Sequence, residues 1–221
     1  SRLYFAVVYW IWKRVIRRYA SERTSGREPL HFLEVGCGAG NFLCCLENWF
    51  HDGKITAIDT ERELLEYSSG RTRSTTFLQC SAQALSFRDE TFDVLSALQV
   101  IEHFPEPEKF LADASRVLRK EGLLLLSTPN THGLAARLLK KRWQGFRHDH
   151  ISLRSPAQWR QTLERNGFEI LNEGTTLLNG IPIVGRFPVS MPFQLLQAVF
   201  GWFPWYLGES YMAVCRKESR N

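Results

Sequence analysis

The sequence predicts an α/β domain in which a parallel sheet is covered by helices on both faces. Two observations lead to this fold class. From residue 30 onward, short apolar segments alternate with longer amphipathic ones. The first apolar segment runs directly into a turn with three glycines, and a helical pattern follows that turn. Such alternation is typical of β-α units, in which crossover helices connect strands that pair in parallel.

Each predicted element has a local signal. Strands are predicted at residues 30–35, 54–59, 75–79, 91–98 and 123–127, and helices at residues 41–49, 61–68 and 106–119. A further helix is predicted at residues 155–166, because Ser155 is a good N-cap and Pro156 suits the first helical position. Residues 168–178 and 211–217 are the candidates for the last strands.

A basic helix precedes the sheet at residues 3–19. Four basic side chains share one face of this helix, and apolar side chains fill the other: Lys13, Arg14, Arg17 and Arg18. Residues 1–27 hold seven basic residues and one acid, whereas the rest of the chain holds 21 basic and 22 acidic residues. The excess positive charge therefore belongs to this segment. We divide the chain into the helix with its linker, residues 1–29, and a ligand-binding domain, residues 30–221.

The turn after the first strand is the most informative segment of the chain. Residues 33–41 read Leu-Glu-Val-Gly-Cys-Gly-Ala-Gly-Asn. Three alternate glycines let the backbone bend sharply and let a nucleoside approach closely: Gly36, Gly38 and Gly40. Glu34 stands just before the turn, where its carboxylate can accept a hydrogen bond from a cationic amine. Cys37 lies within the turn and is counted with the ligand-binding residues.

Polar or small residues also follow the other strands where those strands end. Ligands of open parallel sheets bind beyond the carboxyl ends of the strands. Asp59 and Thr60 end the second strand, where an acid can hold both hydroxyls of a ribose; by itself, Asp59 would equally suit a helix cap or a turn. Ser81 can reach the edge of an adenine, and Ala82 leaves room for the ring. Gln99 follows the fourth strand.

The ordered set of motifs resembles the class I S-adenosylmethionine (SAM) methyltransferases. The spacing Glu-x-Gly-x-Gly-x-Gly at residues 34–40 resembles their first motif and is one residue tighter than a dinucleotide fingerprint. Further segments resemble the family in the right order: residues 92–95 its fourth strand, residues 100–103 the segment after it, residues 118–130 the fifth-strand signature of ubiquinone-biosynthesis O-methyltransferases, and residues 167–169 the start of the sixth strand.

The resemblance covers residues 30–176 and implies a Rossmann-like, seven-stranded, mostly parallel sheet whose last strand is antiparallel. It also implies that SAM is the cofactor, with Gln99 and its neighbours beside the methionine part. Many relatives carry Asp at the position of Ser81. The cofactor-binding residues on this reading are Glu34, Gly36, Cys37, Gly38, Gly40, Asp59, Thr60, Ser81, Ala82 and Gln99.

The implied reaction is in-line transfer of the methyl group of SAM, most simply to a hydroxyl of a small or lipophilic acceptor. An oxygen acceptor usually has to lose a proton, and a histidine that titrates near neutrality suits that task. His103 follows the fourth strand, and His150 lies in a loop after the fifth, so both are candidate bases. Structural readings stay open: His103 would cap the next helix, and residues 148–150 would form a solvated turn.

Other functions are disfavoured or kept as alternatives. Enzymes that methylate amino groups of nucleic acids carry Asn/Asp-Pro-Pro-aromatic after the fourth strand, where this chain reads Gln-Val-Ile-Glu, and no cysteine follows a proline. We therefore expect no DNA partner. The alternatives are a nicotinamide-dependent oxidoreductase, disfavoured by the glycine spacing, and a non-catalytic SAM-binding protein at a membrane.

The cysteines indicate a reducing compartment. The five cysteines have neither disulfide nor zinc spacing, and the N-terminal apolar run precedes its basic cluster instead of following it as in a secretory signal. We expect reduced thiols, no bound metal, and an intracellular location that is either cytoplasmic or peripheral to a membrane.

An apolar insertion is predicted at residues 179–208. Residues 187–208 hold seven aromatic residues and no charge, and three prolines argue against a membrane-spanning helix. A segment that lies on a membrane surface fits better. Together with the N-terminal helix and a second basic run at residues 137–147, it would form a cover on the acceptor side that docks at an anionic membrane. A buried lid or a dimer interface would use the same residues.

Overall fold

The computed structural model describes residues 2–21, 29–176, 191–204 and 207–219. The strands of this part of the chain are β1 His31–Val35, β2 Lys54–Asp59, β3 Thr76–Gln79, β4 Phe92–Leu98, β5 Leu118–Pro129, β6 Phe168–Thr175 and β7 Ser210–Lys217. The α-helices are α1 Arg2–Ser21, α2 Asn41–Trp49, α3 Arg62–Ser69, α4 Pro107–Val117, α5 Leu134–Leu139, α6 Pro156–Arg165 and α7 Met191–Phe200.

The strands form one seven-stranded sheet in the order β3-β2-β1-β4-β5-β7-β6. β7 pairs antiparallel with both β5 and β6, and every other pair in the sheet is parallel. The predicted fold class, a mostly parallel seven-stranded sheet with an antiparallel last strand, is confirmed. The carboxyl ends of β1 to β5 share one edge of the sheet, which brings the predicted ligand-binding residues to a common side.

The fifth strand is longer than predicted, because it begins at Leu118 where the sequence favoured the end of a helix. Leu118 pairs with Phe92, and after an irregularity the pairing resumes between Leu123 and Val94. Within the irregularity Glu121 has a left-handed backbone with φ 61°. A bulge of this kind inserts residues into one strand without ending it, so the local helical pattern of residues 118–119 was misleading.

The start of α6 follows the prediction. Ser155 accepts a hydrogen bond from the backbone N–H of Gln158, the side chain of Gln158 accepts one from the backbone N–H of Ser155, and Pro156 is the first helical residue. This capping box satisfies donors that the first turn would otherwise leave unpaired. The short helix α5 was not predicted, and its last three residues begin the basic run at residues 137–147.

α1 packs on one face of the sheet as part of the main core. Its apolar side chains are buried in one cluster with side chains of the sheet and of α2: Val8, Ile11, Trp12, Val15 and Ile16. Arg14, Arg17 and Arg18 are exposed on the other side of the helix. Among the described side chains of α1, these apolar ones are therefore covered by the domain itself, and the three arginines are presented outward.

Parts of the predicted organisation fall outside the described residues. Residues 22–28 of the predicted linker, and residues 177–190 and 205–206 in and next to the predicted insertion, are not described. Within the described residues, no helix combines the length and the apolar character needed to cross a bilayer. The division into an N-terminal segment and a ligand-binding domain stays a prediction.

Candidate active site

The glycine turn after β1 requires glycine for two physical reasons. Gly36, Gly38 and Gly40 all have left-handed backbones, with φ of 68°, 49° and 71°. Side chains rarely tolerate this conformation. In addition, a Cβ on Gly36 would lie 2.5 Å from Cγ2 of Val100, whereas a Cβ on Gly38 would meet no atom within 4 Å. The backbone at Gly38 therefore borders open space into which a ligand can approach.

Hydrogen bonds fix the turn against the neighbouring strand. The backbone N–H groups of Gly36 and Cys37 donate to the carbonyl of Ile58 at 2.9 and 3.1 Å. The N–H of Gly38 donates to Oδ2 of Asp59 at 2.9 Å. The other carboxylate oxygen of Asp59 accepts from the N–H of Glu61 at 3.0 Å. Asp59 thus stabilises the turn that follows β2, which was the structural alternative for this residue. It also lies beside the glycine turn, where the cofactor prediction requires it.

Glu34 is a buried carboxylate at the end of β1. Its side chain is 4% exposed and accepts a hydrogen bond from the hydroxyl of Ser96 on β4. Burial raises the pKa of Glu34 well above its ordinary value. A cationic group brought next to this carboxylate would favour its charged form, so Glu34 is suited to hold a ligand ammonium.

Cys37 does not have the character of a nucleophile. The thiol is buried, and its pKa is raised to about 12 by burial first and then by the negative charges of Asp59 and Glu34. A thiol with such a pKa stays protonated near neutrality. Its contribution to the turn is its backbone, which accepts a hydrogen bond from the N–H of Gly40 at 2.9 Å.

The ends of β2, β3 and β4 place the remaining predicted residues along the same edge. The N–H of Cys80 donates to the carbonyl of Asp59, which holds Ser81 and Ala82 near the end of β2. Ser81 is exposed and Ala82 is buried. The carbonyl of Thr60 accepts from the side-chain amide of Gln79 at 2.9 Å.

Gln99 has a left-handed backbone, with φ 57°, although it is not glycine. Its N–H donates to the carbonyl of Ser127 at 2.8 Å, and its side chain donates to the hydroxyl of the same residue at 3.2 Å. Backbones of this kind cluster at functional sites, where the surroundings hold the strained conformation. Gln99 marks the point where the edge of the sheet opens into a cavity.

A cavity of about 320 Å³ lies next to this edge. Its walls come from the residues after β4, from the loop after α5, and from the start of β7: they include Gln99, Glu102, His103, Trp143, His150 and Glu209. The cavity therefore joins the end of the predicted cofactor edge to both predicted histidines.

His103 and His150 face each other in this cavity, with ring centroids 4.8 Å apart and ring planes at 82°. Nδ1 of His103 lies 2.9 Å from the carbonyl oxygen of Asp149, and Nδ1 of His150 lies 2.8 Å from that of Gly145. A carbonyl can only accept, so each Nδ1 donates its proton. In the neutral rings, Nε2 is then the unprotonated nitrogen and can accept a proton.

Of the structural roles considered for the histidines, the helix cap at His103 is wrong, and the solvated turn holds for His148 only. The N-cap of α4 is Glu106, so His103 does not cap that helix. His148 is exposed and does not line the cavity, in keeping with a solvated position, whereas its neighbour His150 turns into the cavity. The loop is held in place because the N–H of Ser152 donates to the carbonyl of Glu102 at 2.9 Å.

Glu102 is a site residue that the sequence analysis did not single out. It is 1% exposed, and its Oε2 has no hydrogen-bond partner among the described residues. Burial is the main reason that its pKa is raised to about 7. In the sequence, only its position directly before His103 pointed to Glu102, and a glutamate at that position could equally have faced solvent.

Glu102, His103 and His150 bring one carboxylate oxygen and two ring nitrogens within 4.8 Å of one another. Nitrogen and oxygen ligands of this kind can hold a divalent cation. The same arrangement can hold and pass a proton. The absence of a bound metal stays a prediction.

Trp143 and Glu209 form a pair in the cavity wall that was not predicted from the sequence. Trp143 is buried, and its ring N–H donates to Oε2 of the buried Glu209 at 2.8 Å. The two residues are 66 positions apart in the chain. Their bond joins the loop after α5 to the segment that enters β7, so the cavity wall depends on both.

Comparison with known proteins identifies the family. Residues 10–173 match the family model described as a methyltransferase domain. The chain belongs to this family. The match covers the glycine turn, the edge of the sheet and both cavity histidines, and it speaks against the alternative of a nicotinamide-dependent oxidoreductase.

Two curated methyltransferase relatives show how far the similarity reaches. The chain is 29% identical over 126 residues to a probable SAM-dependent methyltransferase of Mycobacterium tuberculosis, which covers 55% of this chain and 43% of the relative. It is 24% identical over 157 residues to the ubiquinone biosynthesis O-methyltransferase of Bartonella quintana, which covers 66% of this chain and 63% of the relative. The chain thus spans less than two thirds of the length of either relative.

A solved structure shares the fold of this methyltransferase domain. The plantazolicin methyltransferase BpumL, solved in complex with a triazolic desmethylPZN analog and SAH, superposes with a TM-score of 0.69 at 16% identity. The superposition covers 99% of this chain and 86% of that one. The family match and the curated relatives confirm the predicted resemblance to SAM-dependent methyltransferases, and with it the enzyme class and the cofactor of the family, while the solved structure shows the shared fold.

Proposed function

We propose that the protein transfers the methyl group of SAM to a hydroxyl of a small or lipophilic acceptor bound in the 320 Å³ cavity. The observation that carries the proposal is the orientation of His103 and His150. Both rings are held by carbonyl acceptors at Nδ1, so both have Nε2 available in a cavity that adjoins the end of β4.

The edge of the sheet fits the cofactor in three respects. The buried carboxylate of Glu34 is placed to hold a ligand ammonium, and burial raises its pKa well above the ordinary value. The open backbone at Gly38 lets a nucleoside approach, and Asp59 next to it offers carboxylate oxygens to ribose hydroxyls. Bound SAM would supply an electrophilic methyl group.

The chain's own residues then prepare the acceptor. Nε2 of one histidine takes the proton of the acceptor hydroxyl as the new oxygen–carbon bond forms. The Nδ1 bonds to carbonyl oxygens keep each ring in the productive orientation. Trp143 and Glu209 close one wall of the cavity, which limits the access of water to the reacting groups.

The name of one similar protein supports an oxygen acceptor without identifying the molecule. This relative is named as a ubiquinone biosynthesis O-methyltransferase. The rival proposal, a SAM-binding protein without catalysis, leaves the paired histidines and the cavity without a role.

The test has two stages. Calorimetry with SAM and with NAD should show binding of SAM only. The protein is then incubated with methyl-labelled SAM and a metabolite extract that has been separated into polar and lipid fractions. The proposal expects S-adenosylhomocysteine together with a labelled product whose label is on oxygen. SAM binding without any labelled product in either fraction, or label on nitrogen or carbon, would contradict it.

A further inference from the structure

We propose that α1 and α7 together form a docking surface for an anionic lipid bilayer. The docking surface consists of the exposed arginines of α1, Arg14 and Arg17, and the exposed apolar residues of α7, Leu195, Val199 and Phe200. The inference is independent of the methyl-transfer reaction, because it rests on surface residues away from the glycine turn and the cavity.

The polarity of α7 is the reverse of that expected for a surface helix. Leu195 and Val199 are 58% and 71% exposed, and Leu196 and Phe200 are 45% and 69% exposed. Residues four apart share one face of a helix, so these four side chains form a continuous apolar stripe. Gln197, by contrast, is only 1% exposed. A helix of a soluble domain normally buries its apolar face, so the stripe indicates a partner that is itself apolar.

Positive charge borders the apolar stripe. A groove of about 530 Å³ lies between the two helices and is lined by Arg14, Arg17 and Arg18 of α1 and by Val199 and Phe200 of α7. Among the described residues that line this groove there is no Asp or Glu. The guanidinium of Arg14 lies 4.7 Å from the ring centroid of Trp10, which is 41% exposed.

This combination matches an anionic bilayer better than a second copy of the chain. Exposed apolar and aromatic side chains can enter the boundary between headgroups and acyl chains, while arginines bind lipid phosphates. Two copies paired about a two-fold axis through α7 would bring their α1 arginines towards each other, and like charges at an interface oppose association.

The structure also changes which residues of the two helices would contact the membrane. The apolar face of α1 is buried in the core, so α1 would contribute charge and α7 would contribute the inserting side chains. The segment after α7 leads to Glu209 and Ser210, which line the acceptor cavity.

The experiment is flotation of the full chain with vesicles of phosphatidylcholine alone and with vesicles of phosphatidylcholine and phosphatidylglycerol in equal amounts. We expect flotation with the anionic vesicles at low salt and its loss at high salt. The pair Arg14→Gln with Arg17→Gln should weaken partition by about 30-fold. The pair Val199→Gln with Phe200→Gln should weaken it comparably. Arg88→Gln and Leu78→Gln, exposed positions elsewhere on the domain, are the matched controls.

Several outcomes would overturn the inference: no flotation of the unmodified chain, equal flotation with the neutral vesicles, or no effect of either pair of substitutions. Gel filtration provides a further check, because a dimer that is lost in the Val199→Gln, Phe200→Gln variant would show that a second copy covers α7. SAM binding by each variant confirms that the domain is folded. Flotation needs no turnover, so its failure and a failure of the proposed reaction are distinguishable.

Discussion

Asp59 accepts a hydrogen bond from the backbone N–H of Gly38 at 2.9 Å, and this bond joins the end of β2 to the glycine turn after β1. Asp59 ends β2 and Gly38 lies in the turn after β1, and these two parallel strands are neighbours in the sheet that are separated in sequence by α2. The carboxylate therefore shapes the turn even without a ligand. Under the proposed function the same carboxylate would also contact the ribose of SAM, so a single side chain would couple the conformation of the turn to cofactor binding.

Replacing Asp59 should weaken SAM binding. Asp59→Ala removes a charged acceptor for the ribose and for Gly38, and hydrogen bonds to charged groups contribute about 1 to 3 kcal/mol. Titration calorimetry should show the dissociation constant for SAM rising by about 5- to 150-fold. Asp52→Ala, an exposed acid before β2, is the control. An unchanged affinity in Asp59→Ala would remove this residue from the proposed site.

The glycines of the turn should respond differently to alanine. Gly36→Ala places a Cβ 2.5 Å from Val100, whereas Gly38→Ala places one in open space. Both substitutions carry the cost of a left-handed alanine, about 1 to 2 kcal/mol. Gly36→Ala should lower the free energy of unfolding by about 1 to 3 kcal/mol more, because of the clash. Chemical denaturation measures both values.

Gly38→Ala should therefore remain folded and yet lose SAM binding, since its methyl group would occupy the space that the cofactor needs. Adding Val100→Ala to Gly36→Ala should restore part of the lost stability. Equal stability losses in the two single variants would contradict the contact between Gly36 and Val100.

The cavity histidines should affect turnover and not cofactor binding. His103→Ala and His150→Ala each remove one ring of the facing pair, and loss of the general base should reduce the turnover rate by about 10² or more. The residue whose substitution has the larger effect is the base. His148→Ala is a matched control, because this residue is two positions from His150 but is exposed outside the cavity. Rates are followed by S-adenosylhomocysteine release, and SAM affinity by calorimetry.

Glu102 should make stability depend on pH. Its pKa is raised from 4.5 to about 7 by burial, so the folded state holds this proton more tightly than the unfolded chain. Stability contributed by the protonated form is present below 4.5 and is lost as the pH rises to about 7. Glu102→Gln removes this titration, so the fall in stability over that interval should become smaller by a few kcal/mol at most.

The measurement is thermal unfolding of both proteins at one pH below 4.5 and one above 7. Glu63→Gln, a change at an exposed glutamate of α3, is the control. If Glu102→Gln leaves the pH dependence as it was, then Glu102 does not bind its proton more tightly in the folded protein.

A chelator separates proton transfer from metal chemistry at the same cluster. If a histidine takes the proton of the acceptor hydroxyl, dialysis against EDTA should leave turnover unchanged. If instead activity falls and returns on addition of Mn²⁺ or Zn²⁺, then Glu102, His103 and His150 act as metal ligands. The second result would replace the assignment of a histidine base while leaving the SAM site intact.

The sequence was most informative where chemistry is local. The glycine spacing, the acid after the second strand and the cap of α6 depend on residues close together in the chain, and the periodicity of β-α units places strand ends on one edge. Glu102 and the Trp143–Glu209 pair were missed because their burial depends on how distant segments meet. The reversed polarity of α7 was hidden for a similar reason, since composition alone does not show which face of a helix is covered.

The antiparallel β7 has a consequence for how the domain can diversify. β6 ends and β7 begins at the same edge of the sheet as the glycine turn. The pairing of Thr175 with Tyr211, and of Pro129 with Ser210, shows this. A hairpin connection can lengthen or shorten without disturbing the ladder that it joins. A change in this connection would therefore alter the cavity wall that Glu209 and Ser210 help to form, while the strands that carry the glycine turn keep their pairing.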